Sequence, residues 1–259
     1  MEVSDRPERD AWNARDLINA RIDHNATFRN YGPNGWGGGL ETAGPGRRDR
    51  VTLDHNASRE ELIAIALQSA TQSAIVANEI ASTRVYSILL GGATNVLEIR
   101  SNTVRGSTTA TGIRFAPEVF TLDPVPVPSS NVRVTDNDVR DAAAGIYARP
   151  ASLVASLIAD NTTSDNRGNG INMFSSGNVI RANNSNNNGV AGITAFPGAT
   201  GNRFEHNSMH GNASVPGASF PGADARDIDA WLTGGAFQNV WIGNDCDTDL
   251  PTGMICGVG

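Results

Sequence analysis

Arg114, Tyr147, Arg149 and His210 are the side chains of this 259-residue chain best suited to chemistry on an acidic ligand. A guanidinium grips a carboxylate through two parallel hydrogen bonds, so Arg114 or Arg149 is a candidate carboxylate clamp. A phenol or imidazole of tuned pKa moves a proton, which makes Tyr147 and His210 candidates for acid or base. Asp229 and Asp141 are carboxylates that could serve a hydrolytic acid–base pair instead, although the chain shows no clustered Asp-Asp pair. Asn172 and Thr194 supply neutral donors and acceptors of the kind that hold hydroxyl groups. These residues are scattered over more than a hundred positions, so their chemistry depends on what brings them together.

The element that does so is a repeat. The phrase hydrophobic–x–x–Asn recurs nine times, with its asparagine at Asn25, Asn56, Asn78, Asn102, Asn137, Asn161, Asn183, Asn207 and Asn244. The steps between them are 31, 22, 24, 35, 24, 22, 24 and 37 residues. A period of 22–24 interrupted by longer steps is the pattern of a solenoid with insertions at chosen turns. One repeat, Asn161 to Asn183, divides into three short extended segments and three turns. A Gly-Ile element opens the first segment in several repeats, at Gly112-Ile113, Gly145-Ile146, Gly170-Ile171 and Gly192-Ile193.

Three strands per coil of this length resemble the right-handed parallel β-helix, over roughly residues 15–245. The repeat is shared by pectate lyases, polysaccharide epimerases, phage tailspikes and NosD-like proteins. The resemblance implies an all-β, single-stranded right-handed parallel β-helix of about eight to nine rungs. It also implies that the asparagines stack in a ladder at the turn between second and third strands, where an amide satisfies both donors and acceptors of a tight inward turn. Alternation along the strands then points Ile113, Phe115, Ile146, Ala148, Ile171, Met173, Ile193 and Ala195 inward. Ile99, Val134, Ile158, Ile180, Phe204 and Trp241 point inward from the second strands.

The opposite parity gives an outward row on the first strands: Glu41, Ala64 or Ala66, Leu89, Arg114, Tyr147, Asn172, Thr194 and Asp229. Arg149 follows Tyr147 by two residues, Asp141 precedes a Gly-Ile element, and His210 stands at the root of a long insertion. Two insertions, 117–128 and 211–226, border this face from either side, and a third long stretch, 28–50, lies nearer the N-terminal end. Long loops on one face of a solenoid commonly build its binding surface. The alternative reading is a solvated sheet face with tolerated insertions. A polar groove with one aromatic suits a sugar chain.

Organisation follows the repeat. Residues 1–20 are expected to cap the open end, with a short helix over 7–18 started by Pro7. Residues 21–245 form the coils and 246–259 a terminal tail. Ser58 to Glu61 reads as a helix capping box, yet Ile63 to Leu67 alternates, and a strand is expected there. Cys246 and Cys256 stand ten apart in the tail. With no second cysteine pair or close histidine to suggest a metal, a disulfide stapling the last coil is expected. It would contribute about 2–3 kcal/mol. That bond implies an oxidising compartment and an extracellular or cell-surface protein. Residues 1–20 lack the apolar core of a secretory leader, which leaves either a leader removed before this sequence begins or a cytoplasmic protein.

Net charge is −7 and arginines are dispersed, unlike the basic footprint of a nucleic-acid binder. No apolar run approaches the length of a membrane span. The expected partner is therefore a polysaccharide or other carbohydrate, with neither nucleic acid nor membrane. No cofactor is expected. The one cation considered is Ca²⁺, for which Asp136, Asp138, Asp160 and Asp165 could supply oxygens across rungs, with solvated charge as the alternative.

By resemblance to the lyases and epimerases of this fold, an arginine would neutralise a uronate carboxylate while a base removes the C5 proton. The Gly-His-Gly and Arg-x-Lys motifs of polygalacturonases are absent, as is the Tyr-Gly-x-Asp-Pro-His motif of alginate epimerases. Asp23-His24 and Asp54-His55 resemble the Trp-x-Asp-His phrase of pectate lyases but precede ladder asparagines, away from the expected groove. Three functions follow: a lyase or epimerase of acidic polysaccharide, a non-catalytic carbohydrate-binding or surface module, and a small-molecule cyclase or isomerase on the same fold.

Overall fold

The computed structural model describes residues 12–13, 16–30, 38–42, 48–117, 127–212 and 223–257. Among them the chain winds as a three-sided coil of parallel strands. One sheet has ten strands, running from Trp12–Asn13 through Thr111–Ala116, Ala144–Ala148, Ile171–Met173 and Ile193–Ala195 to Asp249–Leu250. A second has twelve, and the third side carries a five-stranded and a two-stranded piece. These two pieces are joined by single bridges from Asp138 through Thr162 and Asn184 to Ser208.

The nine asparagines stand in one column. Each side-chain amide donates to the Oδ1 of the next, from Asn25 to Asn56 at 3.0 Å through Asn161 to Asn183 at 2.9 Å and on to Asn244. The physical need for them is visible one residue earlier. His24, His55, Ala77, Ser101, Asp136, Asp160, Ala182, His206 and Gly243 all have φ between 51° and 57°. A left-handed residue costs a non-glycine side chain roughly 1–2 kcal/mol, and the turn leaves backbone carbonyls facing inward. The asparagine amide takes up those carbonyls: Asn161 donates to Ala159 and Val134, each at 2.9 Å.

The other two corners acquire ladders of their own toward the C-terminal end. Asn178, Asn202 and Asn239 stack at one, with amide-to-Oδ1 distances of 3.3 and 3.1 Å. Asn166, Asn188 and Asn212 stack at the other, each at 3.0 Å, and Asp224 closes the column. The inward residues are as alternation requires. Ile113, Phe115, Ile146, Ile171, Met173 and Ile193 are wholly buried, and Phe204 stacks on Trp241 with ring centroids 3.9 Å apart. The Gly-Ile element has a steric cause: a Cβ on Gly170 would lie 1.9 Å from Ser185 Oγ and 2.7 Å from the Thr163 carbonyl. The third side presses so closely on the start of the first strand that only glycine fits.

The N-terminal end differs from the sequence expectation, and the C-terminal end meets it. In place of a helix over 7–18, Trp12–Asn13 and Leu17–Ile18 are strands that pair with Leu40–Glu41 and Arg48–Asp49, the remaining described residue of that span being Asp16. Paired rung edges hide strand hydrogen bonds as a cap would. Ile63–Gln68 is a strand, as its alternation requires. At the other end Cys246 and Cys256 form a disulfide with Cα atoms 5.4 Å apart. Asp249 gathers the tail, its carboxylate accepting from the amides of Gly253, Met254, Ile255 and Cys256 at 2.6–3.0 Å.

Candidate functional site

Register on the first sheet aligns Glu41, Ala66, Leu89, Arg114, Tyr147, Asn172 and Thr194 across successive rungs. The next position belongs to Arg226, not Asp229. The sequence places the row's last member three residues late. The strand is Ala225–Asp227, and Asp229 lies on the short helix Ile228–Leu232, where its carboxylate accepts from the Gly198 amide at 2.7 Å. Asp227 is buried and fixes the turn instead, accepting from Trp241 Nε1 and Asn239 Nδ2 at 3.0 Å and capping the helix through Ala230 N.

Arg114 and Tyr147 come together. The Arg114 guanidinium carbon lies 5.0 Å from the Tyr147 ring centroid and 4.9 Å from that of Tyr86, so the cation is held between two aromatic faces. The stack continues from Tyr147 to Phe174 at 5.3 Å and from Phe174 to Phe196 at 3.9 Å. Rungs repeat at ~4.8 Å, close to the separation of stacked rings, so side chains in like positions pile up face to face. All five are half-buried. Arg149, also half-buried, flanks it. Tyr86, Phe174 and Phe196 were missed in the sequence, although the last two stand 22 residues apart, one rung's length.

Asn172 and Thr194 occupy their expected places but are buried, at 3% and 0% exposure. They belong to a polar cluster around Arg226, itself 2% exposed. Arg226 Nε donates to Thr194 Oγ1 at 3.1 Å and Nη2 to Asn169 Oδ1 at 2.9 Å, while Asn169 donates to Asn172. Burial lowers the Arg226 pKa to about 10, which leaves it charged at neutral pH. Among the described residues no carboxylate pairs with it. From Ala66 to Arg226 the row carries two arginines and no acid, in a chain of net charge −7.

The remaining candidates lie elsewhere. Asp141 and His210 are at the corner between third and first sides, in rungs separated by those of Asp165 and Asn187. His210 bridges to the tail, Nδ1 to Asp247 at 3.1 Å and Nε2 to Asp245 at 3.2 Å. Burial opposes its charge, but the two carboxylates prevail and raise its pKa above 6.5. The insertions 117–128 and 211–226 fall largely outside the described residues. Tyr147 titrates above 10, chiefly because burial disfavours the phenolate, with Arg114 pulling the other way.

Two of the four carboxylates considered for Ca²⁺ face arginines. Asp138 is engaged by Arg105 and Arg140, and Asp165 lies 3.7 Å from Arg140. Among the described residues no three of His, Cys, Asp and Glu converge as metal ligands. The Asp-His phrases pair locally at the second corner: His55 with Asp54 at 2.9 Å, His24 with Asp23 at 3.3 Å, the two imidazoles stacked with centroids 5.3 Å apart.

Residues 64–225, more than half of the chain, match the family model described as the right-handed beta helix region. The chain belongs to the right-handed β-helix family. Among solved structures, this β-helix is similar to a mutant of the periplasmic alginate epimerase AlgG, at 15% identity and a TM-score of 0.51, covering 78% of this chain and 48% of that one. It is also similar to DFA-IIIase from Arthrobacter chlorophenolicus A6 in complex with GF2, at 14% identity and a TM-score of 0.50, covering 80% and 49%. The chain spans about half the length of these structures. At these identities the likeness is one of fold. No curated protein matches the sequence.

Proposed function

We propose that this β-helix acts on an acidic polysaccharide laid along its first-strand wall. The observation that carries the reading is Arg114 clamped between Tyr86 and Tyr147 on a wall whose row carries no acid from Ala66 to Arg226. A uronate chain supplies a carboxylate to the half-buried Arg114 and hydroxyls to the phenols of Tyr86 and Tyr147. The chemistry proposed is proton abstraction. A base removes the C5 proton of a uronate; in a lyase the electron pair forms the C4–C5 double bond and expels the C4-linked oxygen, which takes up a proton, whereas an epimerase returns a proton to the opposite face. Tyr147 is the group in reach of both a sugar ring and Arg114. As a neutral phenol it serves as acid, and as base it relies on Arg114 to stabilise the phenolate. The disulfide supports a secreted or surface setting.

The raised Tyr147 pKa favours a second reading, non-catalytic binding of the same polymer. Uronate polymers separate the two: unsaturated product by ultraviolet absorbance reports a lyase, and C5 deuterium incorporation from heavy water reports an epimerase. Neither signal, with polymer still bound, establishes the binding module. Activity that survives Tyr147→Phe, Arg114→Ala and Arg149→Ala alike means that the site is elsewhere.

A further inference from the structure

The second side of the coil carries a cleft of its own. Each rung bends there at a left-handed residue, and the bend passes from Asn131 to Ala155 to Gly177 at φ 53°, 48° and 72°. Side-chain volume falls away along that column, while Arg133 and Arg181 project from the strands beside it. The result is an open cleft of about 510 Å³ with a half-buried apolar floor at Leu157 and Val179.

Its charge is what makes it a site. Of the exposed arginines on this side, Arg100 pairs with Glu98 and Arg203 with Glu205. Arg133 and Arg181 stand in register beside those same two glutamates, so each acid is shared by two arginines; neither Arg133 nor Arg181 forms an ion pair of its own among the described residues, and both are exposed. Register sets them two strands apart: Arg133 aligns with Leu157 and Val179, and Arg181 is two residues beyond Val179. The pair is therefore separated by roughly 10 Å along the axis, plus a stride along the strand. A linear ligand with charges at intervals fits that layout better than a single small anion.

We propose that this cleft is a second binding site for an acidic polysaccharide: uronate carboxylates meet Arg133 and Arg181 while a sugar face rests on Leu157 and Val179. The choice of ligand rests on the reading given to the first-strand wall, but the cleft shares no residue with that wall. It would hold a long polymer by a second grip, raising avidity without chemistry of its own.

Affinity electrophoresis of the full chain through gels containing polygalacturonate, dextran sulfate or neutral dextran tests this. Polygalacturonate should retard the wild type and neutral dextran should not. R133A/R181A should weaken retardation roughly ten-fold, and R133K/R181K should recover most of it, since two charge-assisted contacts are lost and then restored as point charges. Wild-type retardation of R133A/R181A overturns the cleft, and if R114A is then impaired the wall reading stands without it. Loss in R133A/R181A with none in R114A upholds the cleft and removes the wall. Retardation by dextran sulfate but not polygalacturonate assigns the cleft to sulfate esters and overturns the uronate.

Discussion

Replacing Asn161 by alanine tests whether stacked amides hold the coil. The two N–H groups of its Nδ2 are shared among three acceptors at 2.9 Å, the carbonyls of Val134 and Ala159 and Asn183 Oδ1. Its own Oδ1 accepts from the Asn137 backbone amide at 3.0 Å and from Asn137 Nδ2 at 2.9 Å. Truncation loses all five. Asn137 Nδ2 keeps its bonds to Ile99 and Thr135, and Asn183 Oδ1 keeps the Asn161 backbone amide. The Asn137 backbone amide is left with no acceptor among the described residues, and the residue is buried at 1% exposure. An orphaned buried donor costs about 1–3 kcal/mol, and the other bonds about 1 kcal/mol each where no replacement exists. The expected loss is about 3–5 kcal/mol. Asn25, at the open end of the column, makes two donations, at 3.0 Å to Asn56 and to the Asp23 carbonyl, and is only partly buried. Asn25→Ala should therefore cost about 1–2 kcal/mol. Urea unfolding followed by far-ultraviolet circular dichroism measures both. Equal losses at the two positions, or a loss under about 1 kcal/mol at Asn161, would refute the ladder as the source of coil stability.

Three further outcomes follow from the structure. Gly170→Ala should lower the urea midpoint strongly, because its Cβ meets Ser185 Oγ at 1.9 Å and a backbone carbonyl at 2.7 Å; Gly198→Ala, with nothing within 4 Å, should cost only the roughly 1–2 kcal/mol of a side chain at its φ of +82°, and parity between them would remove the steric argument. Burial disfavours the charged Asp249, but four backbone amides outweigh it and depress its pKa below 3.8. Its contribution is therefore complete above the unfolded value and lost as pH falls through the folded one; amide exchange at 253–256 should quicken below about pH 4 in the wild type, and Asp249→Asn should abolish that pH dependence. His210, raised above 6.5, contributes fully below that pH and loses its hold as pH rises through the folded value. An NMR titration placing its midpoint at or below 6.5 contradicts the Asp245–Asp247 bridge.

Much of the fold was legible because stacking makes each rung solve the same problem. The nine asparagines could be read from their spacing, since an inward turn demands one amide per rung at one place. The inward isoleucines followed from strand alternation. Other features look alike in sequence and differ in space. Asn131 and Asn178 each precede a valine, yet Asn131 is the exposed left-handed bend and Asn178 lies in a buried ladder. The row misplaced its last member because Asp227-Ile228-Asp229 alternates as well as Ala225-Arg226-Asp227 does. A helix cap on Asp227, formed by tertiary hydrogen bonds to Trp241 and Asn239, chooses between them.

The sequence by itself determined the architecture and the neighbours within the wall: Arg114 beside Tyr147, and Asn172 beside Thr194. Periodicity is a local property repeated, and register inherits it. Only the tertiary structure decided which of those residues is open, which is closed over, and which charge lacks a partner. Burial and ion pairing depend on what packs across from a residue, so the enclosure of Asn172 and Thr194, the uncompensated charge of Arg226 and the cleft between Arg133 and Arg181 are written in the packing of separate rungs and corners.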